Sequence, residues 1–303
     1  MYGVNPFLHE DIMNNKTLSK IKLISSMTVF GTIAIFVRNI PLPSGEIALY
    51  RALIAMLIIG AYLLIKKRPI PLKDIKKELP LLLLSGIAMG INWIFFFEAF
   101  RYTSVATATL SYYFAPVIVT VVSPLIFKEK LGPKQILCFV MSTVGLVLIT
   151  GVGSYQSTSD LIGILLGLGA AAFYASVILI NKLIKSVDGI TRTFLQFLSS
   201  TVVLVPYVLL TDGINVGTLN LTALSCLLVV GIIHTALTYC MYFSSIKELS
   251  GQTVAILSYI DPLVAVAVSV LFLNEAMNVW QYIGGALILG FTLLNELPQK
   301  NKK

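Results

Sequence analysis

Apolar residues along this chain fall in long, almost unbroken runs separated by short polar turns. About 20 predominantly apolar residues are needed to cross a bilayer core as a helix. Ten runs approach that length, at roughly 20–38, 46–65, 80–101, 104–127, 133–151, 160–182, 190–211, 221–246, 250–273 and 278–296. The connections are short and carry turn residues, as in "PLPSG", "GVGSYQSTSD" and "TDGINVG". None could hold a soluble domain. The opening "MYGVNPFLHEDIMNN" reads as a polar tail, and the first apolar run lacks the small-residue cleavage site of a signal peptide. The pattern predicts an all-α integral membrane protein with ten transmembrane helices.

Composition agrees with the pattern. Of the 303 residues 57% are hydrophobic and 12% charged, against about 25% charged in soluble domains. The net charge of +8 would suggest nucleic acid if its carriers were clustered on one domain, but they lie in the turns. With the N-terminus inside, 19 of the 22 Lys and Arg residues fall on the inner side and three, Arg38, Arg51 and Arg101, on the outer side. That asymmetry predicts cytoplasmic termini in a multi-pass plasma-membrane protein. The basic balance then sets orientation and meets anionic lipid, and no nucleic-acid partner is expected. Cys138, Cys226 and Cys240 lie within apolar runs. They form no metal-ligand spacing and no disulfide framework, so neither metal nor cofactor is expected.

The chain repeats itself. "YYFAPVIVTVVSPLIFKE" (112–129) aligns with "SYIDPLVAVAVSVLFLNE" (258–275) at a constant offset of 146, with six identities in 18 positions. Tyr113 pairs with Tyr259, Pro116 with Pro262 and Glu129 with Glu275, and the same offset pairs Thr107 with Thr253 and Gln135 with Gln281. The expected organisation is a tail at 1–19, a five-helix repeat at 20–152, a second at 153–296 and a basic tail at 297–303. Five is odd, so corresponding helices cross in opposite directions. The fourth run ends in "FKEK" and the ninth in "LNEA", with the lysines gone from the copy that ends outside. Two inverted five-helix repeats are a recurrent architecture of secondary transporters, with the substrate near the midplane between them.

The motifs "FRYTSVATATLSYYFAPV" and "SPLIFKEKLGPKQILCFVMSTVGLVLI", with their second copy "IKELSGQTVAILSYIDPLVAVAVSVLFLNEAMNVWQYIGGALILG", resemble the EamA-type transporters of the drug/metabolite transporter superfamily. The resemblance covers residues 20–296. It implies ten helices, cytoplasmic termini, and transport of small metabolites such as amino acids, nucleotide-type metabolites, choline-like amines or drugs. It also implies that the third, fourth, eighth and ninth helices line a central cavity.

The candidate site residues follow. Asp261 lies about ten residues into its run, roughly 15 Å from the inner surface at 1.5 Å per residue. A charge at that depth costs about 2.5–3.5 kcal/mol on insertion scales. It should therefore face a wet cavity or hold a proton, unless it bonds backbone groups freed by Pro262. Pro116 and Pro262 each remove a backbone hydrogen bond and should kink their helices. Glu98, near the outer end of the third run, either pairs with Arg101, Arg38 or Arg51 or is a second protonatable group. His234, sharing a predicted helical stripe with Thr238 and Tyr242, is either a proton relay or a hydrogen-bonded core imidazole. Trp93 and Tyr239, and Tyr113 and Tyr259, are pairs matched by the offset. With Tyr112 they would present aromatic faces to an organic cation or an aromatic molecule. Glu129 and Glu275 are expected to cap the following helix or to pair with lysines. Gly86-x-x-x-Gly90 and Gly163-x-x-x-Gly167 read as close helix packing.

These features point to a secondary transporter of a small organic metabolite working by alternating access, either coupled to protons through Asp261 or facilitative, as a monomer or homodimer; export is what the resemblance implies. An integral membrane enzyme, or a membrane scaffold or channel that does not act as a carrier, are the alternatives. Two histidines, one of them in the tail, leave an enzyme little to work with, and no glycine-rich nucleotide loop supports an ATP-driven pump.

Overall fold

The computed structural model describes residues 6–70, 75–127, 132–151, 158–211, 213–246, 249 and 257–297. Among these residues every regular element is helical. In chain order they are α1 (Pro6–Gly31), α2 (Ile33–Val37), α3 (Ser44–Ile65), α4 (Leu79–Tyr102), α5 (Val105–Tyr112), α6 (Ala115–Phe127), α7 (Pro133–Gly151), α8 (Thr158–Leu183), α9 (Gly189–Leu210) and α10 (Leu221–Val229). A π-helix over Val230–Leu237 leads into α11 (Thr238–Ile246), and α12 (Ile260–Leu271) and α13 (Val279–Glu296) follow. Among the described residues seven stretches are long and apolar enough to cross a membrane, and Pro133–Leu148, Ile260–Leu271 and Val279–Asn295 are shorter apolar helices. The segment read as a polar tail is already helical from Pro6.

Polar residues mark where helices start. Ser104 accepts from the Thr107 amide at α5, Asp188 from the Ile190 and Thr191 amides at α9, and Asn220 from the Ala223 amide at α10. At α13 Asn278 and Gln281 bond each other's backbone in a capping box. Each satisfies amide groups that a helix start leaves without a partner. The outer surface is apolar: Leu64, Leu125, Leu210 and Leu221 are each at least 80% exposed. Such a surface would drive aggregation in water, whereas lipid accepts it.

Small residues let the helices approach. Ala48, Ala52 and Ala55 form a fully buried stripe along α3. Gly86 of α4 lies against the Gln196 carbonyl and Ser199 of α9, and Gly163 of α8 against Thr103, so an added Cβ at either would come within 2.6 Å of its neighbour. The packing follows the internal repeat. α4 packs on α8 and α9, while α11 packs on α1 and the π-helix on α3. α5 and α6 pack on α8, and α12 packs on α1. α3 pairs with α9, α5 with α12, and α7 with α13. Exchanging each helix for the one five segments on leaves this scheme unchanged, so the two-repeat architecture fits the fold.

The prolines do more than kink. The helix stops at Tyr113 and Phe114 and restarts at Ala115, and in the second copy it stops at Tyr259 and restarts at Ile260. Pro116 and Pro262 therefore sit in the first turn of a new helix, where their missing N–H would have had no partner in any case. Both breaks fall at the tyrosines that the offset pairs.

Candidate functional site

The two breaks meet in the interior. The Tyr113 hydroxyl donates to Asp261 Oδ2 at 2.6 Å, so the carboxylate from one half is held by a phenol from the other. Asp261 is the second residue of α12, where the positive end of a half-helix dipole stabilises an anion by about 0.3–1 kcal/mol. The sequence had suggested an aspartate in mid-helix. The break instead gives it a helix start, a phenol donor and partial exposure. Glycine makes this possible: a Cβ on Gly31 would lie 2.6 Å from the Asp261 carbonyl and 2.7 Å from the Val264 Cβ.

Tyrosines surround the carboxylate. Tyr112 makes an edge contact with Tyr113 at 5.7 Å, stacks obliquely on Phe96 at 4.5 Å and meets Tyr174 at 5.2 Å. Tyr112, Tyr174 and Tyr239 all lie within electrostatic reach of Asp261. Tyr112, Tyr239 and Asp261 are each partly exposed although they sit inside helices, and Tyr113 is partly exposed at its break. Tyr259 is buried at its break.

Trp93 and Tyr239, paired by the offset, flank one ring: Phe197 lies 5.7 Å from Trp93 and 5.4 Å from Tyr239. The other face of Trp93 carries a residue that was placed wrongly from the sequence. Arg51 is no outer-loop charge, because it lies seven residues inside α3 and is 4% exposed. Its guanidinium sits 4.2 Å over the Trp93 ring and 5.3 Å from Phe97, and its Nε donates to Thr235 Oγ1 at 3.1 Å. The offset of 146 pairs Arg51 with Phe197, the ring that occupies the equivalent place beside Trp93 and Tyr239.

The remaining candidates have settled partners. Glu98 accepts from Ser44 and lies 3.5 Å from Arg101, at the Arg38 end of the bundle. The His234 ring reaches Thr32 Oγ1 at 3.1 Å through Nε2 and the Val229 carbonyl at 3.4 Å through Nδ1, and it packs on Phe36. The expected α-helical stripe through His234 is absent, since residues 230–237 form a π-helix. There Thr235 and Thr238 each donate to a carbonyl five residues back, at 2.7 and 2.6 Å. Glu275 caps a helix of the other repeat rather than the one that follows it. It accepts from the Val105 amide at 2.8 Å and from Ser269, and its ion pair is with Arg38, not a lysine. Arg38 also donates to the Phe100 and Thr103 carbonyls at 3.4 and 3.5 Å. Glu129 lies outside the described residues. Among the described residues no cluster of His, Cys, Asp and Glu could hold a metal.

Comparison with known proteins bears on the family and the two-repeat fold. The model of the EamA-like transporter family matches twice, over residues 18–151 and 161–296. The transporter YxxF of Bacillus subtilis (strain 168), itself uncharacterized, is 30% identical over 292 residues, covering 95% of this chain and 92% of its own. An uncharacterized transporter of Archaeoglobus fulgidus is 27% identical over 273 residues, covering 90% of this chain and 94% of its own. The uncharacterized inner membrane transporter YhbE of Escherichia coli (strain K12) is 26% identical over 269 residues, covering 84% and 83%. A crystal structure shares the fold at a TM-score of 0.65 and 15% identity, over 91% of this chain and 96% of that one. With both repeats matched, the chain belongs to the EamA-like transporter family of the drug/metabolite transporter superfamily.

Proposed function

We propose that this membrane transporter is a secondary carrier that exports a small organic metabolite by alternating access, with Asp261 exchanging a proton. The observation that carries the reading is the bond between Tyr113 and Asp261, made where two interrupted helices from different repeats meet. Broken helices of this kind are where secondary transporters place substrate and coupling ions, and an ionisable group inside a membrane marks an ion or proton pathway. A proton arriving on Asp261 removes its charge and weakens the bond from Tyr113, which changes how strongly the two breaks hold each other. Glu98 lies beside Ser44 and Arg101, and His234 between Thr32 and the Val229 carbonyl, whereas Asp261 joins the two breaks; the coupling role is therefore assigned to Asp261.

In this reading the chain forms ten spans as two inverted repeats, 20–152 and 153–296, between a tail at 1–19 and a basic tail at 297–303. Both termini lie in the cytoplasm of a cell with this protein in its plasma membrane. A carboxylate held by a phenol where two broken helices meet is unnecessary for a scaffold, and a channel needs no symmetric pair of repeats. Saturable counterflow of a labelled aromatic amino acid into preloaded proteoliposomes tests the carrier reading. Flux that rises linearly with concentration and ignores the internal load would contradict it.

A further inference from the structure

Arg51 has more hydrogen-bonding capacity than the protein uses. A guanidinium carries five N–H donors and no acceptor. In Arg51 one of them, on Nε, donates to Thr235 Oγ1 at 3.1 Å. No other hydrogen bond and no ion pair to a described carboxylate engages it, although the residue is 4% exposed. Its terminal nitrogens are not among the sealed, unbonded polar atoms, and so they turn to the small open space that remains. The Thr235 hydroxyl is fixed in turn, donating to the Val230 carbonyl at 2.7 Å. The guanidinium carbon lies 4.2 Å over the centre of the Trp93 ring. The fork is therefore oriented by its Nε bond and its aromatic contact, with its two terminal amino groups left to act.

The surroundings suit a ligand. A cleft of about 330 Å³ opens at the Arg38 end and is lined by Arg38, Ser44, Ile47, Phe97 and Arg101 among others. Arg51 lies behind its lining: Ile47, in the cleft wall, is one turn before it on α3, and the ring of Phe97, also in the wall, is centred 5.3 Å from its guanidinium. The two arginines at the rim are occupied by Glu275 and Glu98, whereas Arg51 has no carboxylate. The other repeat has Phe197 at the equivalent position, so the symmetry of the fold does not require a cation there. A packed arginine without a counter-ion deep in a membrane protein is expensive to keep. An anionic group on the cargo offsets that expense.

Resting on the transporter reading above and narrowing it, we infer that Arg51 is the receptor for a carboxylate on the cargo. The cargo's apolar body then lies in the cleft, beside Ile47 and Phe97. Planar guanidinium matches planar carboxylate through two parallel bonds. This places organic cations lacking an acidic group, such as choline-like amines, outside the cargo class.

Ligands matched in shape test the inference in purified protein by thermal shift and by titration of tryptophan fluorescence. The probes are phenylalanine, phenylalaninamide, phenethylamine and 3-phenylpropionate, with leucine and leucinamide as an aliphatic pair. At least one acid should bind, and roughly ten-fold or more tighter than its amide, since each hydrogen bond to a charged group is lost with the carboxylate. R51Q should remove that difference and R51K should restore part of it. Amides or amines that bind as tightly as the acids, or no binding by any acid, would overturn the assignment; both come from the wild-type protein and do not depend on a variant folding. Acid-selective binding without counterflow would refute the transporter reading while leaving Arg51 in place. Counterflow carried equally by amine and acid would do the reverse.

Discussion

The two helix breaks have the same origin and different contents. In the first repeat the residue that follows the break is Ala115, 1% exposed and packed with Ala171 and Ala175 of α8, which are 0% and 1% exposed. In the second repeat the equivalent residue is Asp261, partly exposed and bonded to Tyr113. One break packs an alanine against α8 and the other holds a partly exposed carboxylate. Chain duplication explains the breaks, because each follows from a proline in a first helical turn. It does not explain the charge. The same holds one layer away, where Arg51 and Phe197 are equivalent positions. The architecture is symmetric, and Asp261 and Arg51 both lie where the halves differ.

The harshest way to break the comparison is to copy the carboxylate into the first break. Ala115→Asp would bury an unpaired charge against the α8 alanines, and uncompensated buried charges cost about 3–5 kcal/mol. The variant should fail to yield folded protein in detergent, as read by gel filtration. A monodisperse, fully stable variant would show that the first break tolerates a charge as well. Gly31→Ala probes the second break from the α1 side. Its Cβ would press on the Asp261 carbonyl, and overpacking of this kind costs about 1–3 kcal/mol. Thermal unfolding should move down accordingly; an unchanged midpoint would mean that α1 and α12 separate freely. Glu275→Gln removes the charge that pairs with Arg38 and caps α5, with an expected loss of about 1 kcal/mol. The same variant should also raise access to Arg38 in modification by phenylglyoxal.

The smallest effect is expected outside the spans, at Glu78, where the Ser186 hydroxyl and the Lys185 and Ser186 amides donate to the carboxylate. These bonds, the one from the Ser186 side chain foremost, hold its pKa below the ordinary value. A depressed pKa contributes stability above the unfolded-state value, and the contribution is lost as pH falls through the lowered one. Glu78→Gln should therefore differ from the parent slightly at neutral pH and converge with it in acid. A difference that widens in acid would reverse the assigned sign.

Much of the fold was legible because lipid imposes a simple pattern. Apolar runs of span length, lysines in the turns and a constant offset of 146 mark a two-repeat helical membrane protein. Both partners of the Tyr113–Asp261 bond could be named, but their meeting could not, since it depends on how the repeats cross. The breaks were expected as kinks because proline position alone does not say which residue ends the preceding piece. Arg51 was missed by being counted among loop arginines. Two signals were present: its place seven residues into a span, and its match with an aromatic residue under the repeat. The π-helix at 230–237 had no visible signature, because its hydroxyl bonds five residues back depend on winding and not on residue type.

The central claim is that Asp261 exchanges a proton while the two breaks rearrange. The most direct measurement is uptake of labelled phenylalanine into proteoliposomes with and without an imposed pH gradient, for the parent protein and for Asp261→Asn. The account predicts gradient-driven accumulation in the parent protein. It predicts loss of the gradient dependence in Asp261→Asn, with flux reduced roughly 10- to 100-fold as a charge-assisted bond is lost. A variant that accumulates substrate with the same response to the gradient as the parent would contradict it.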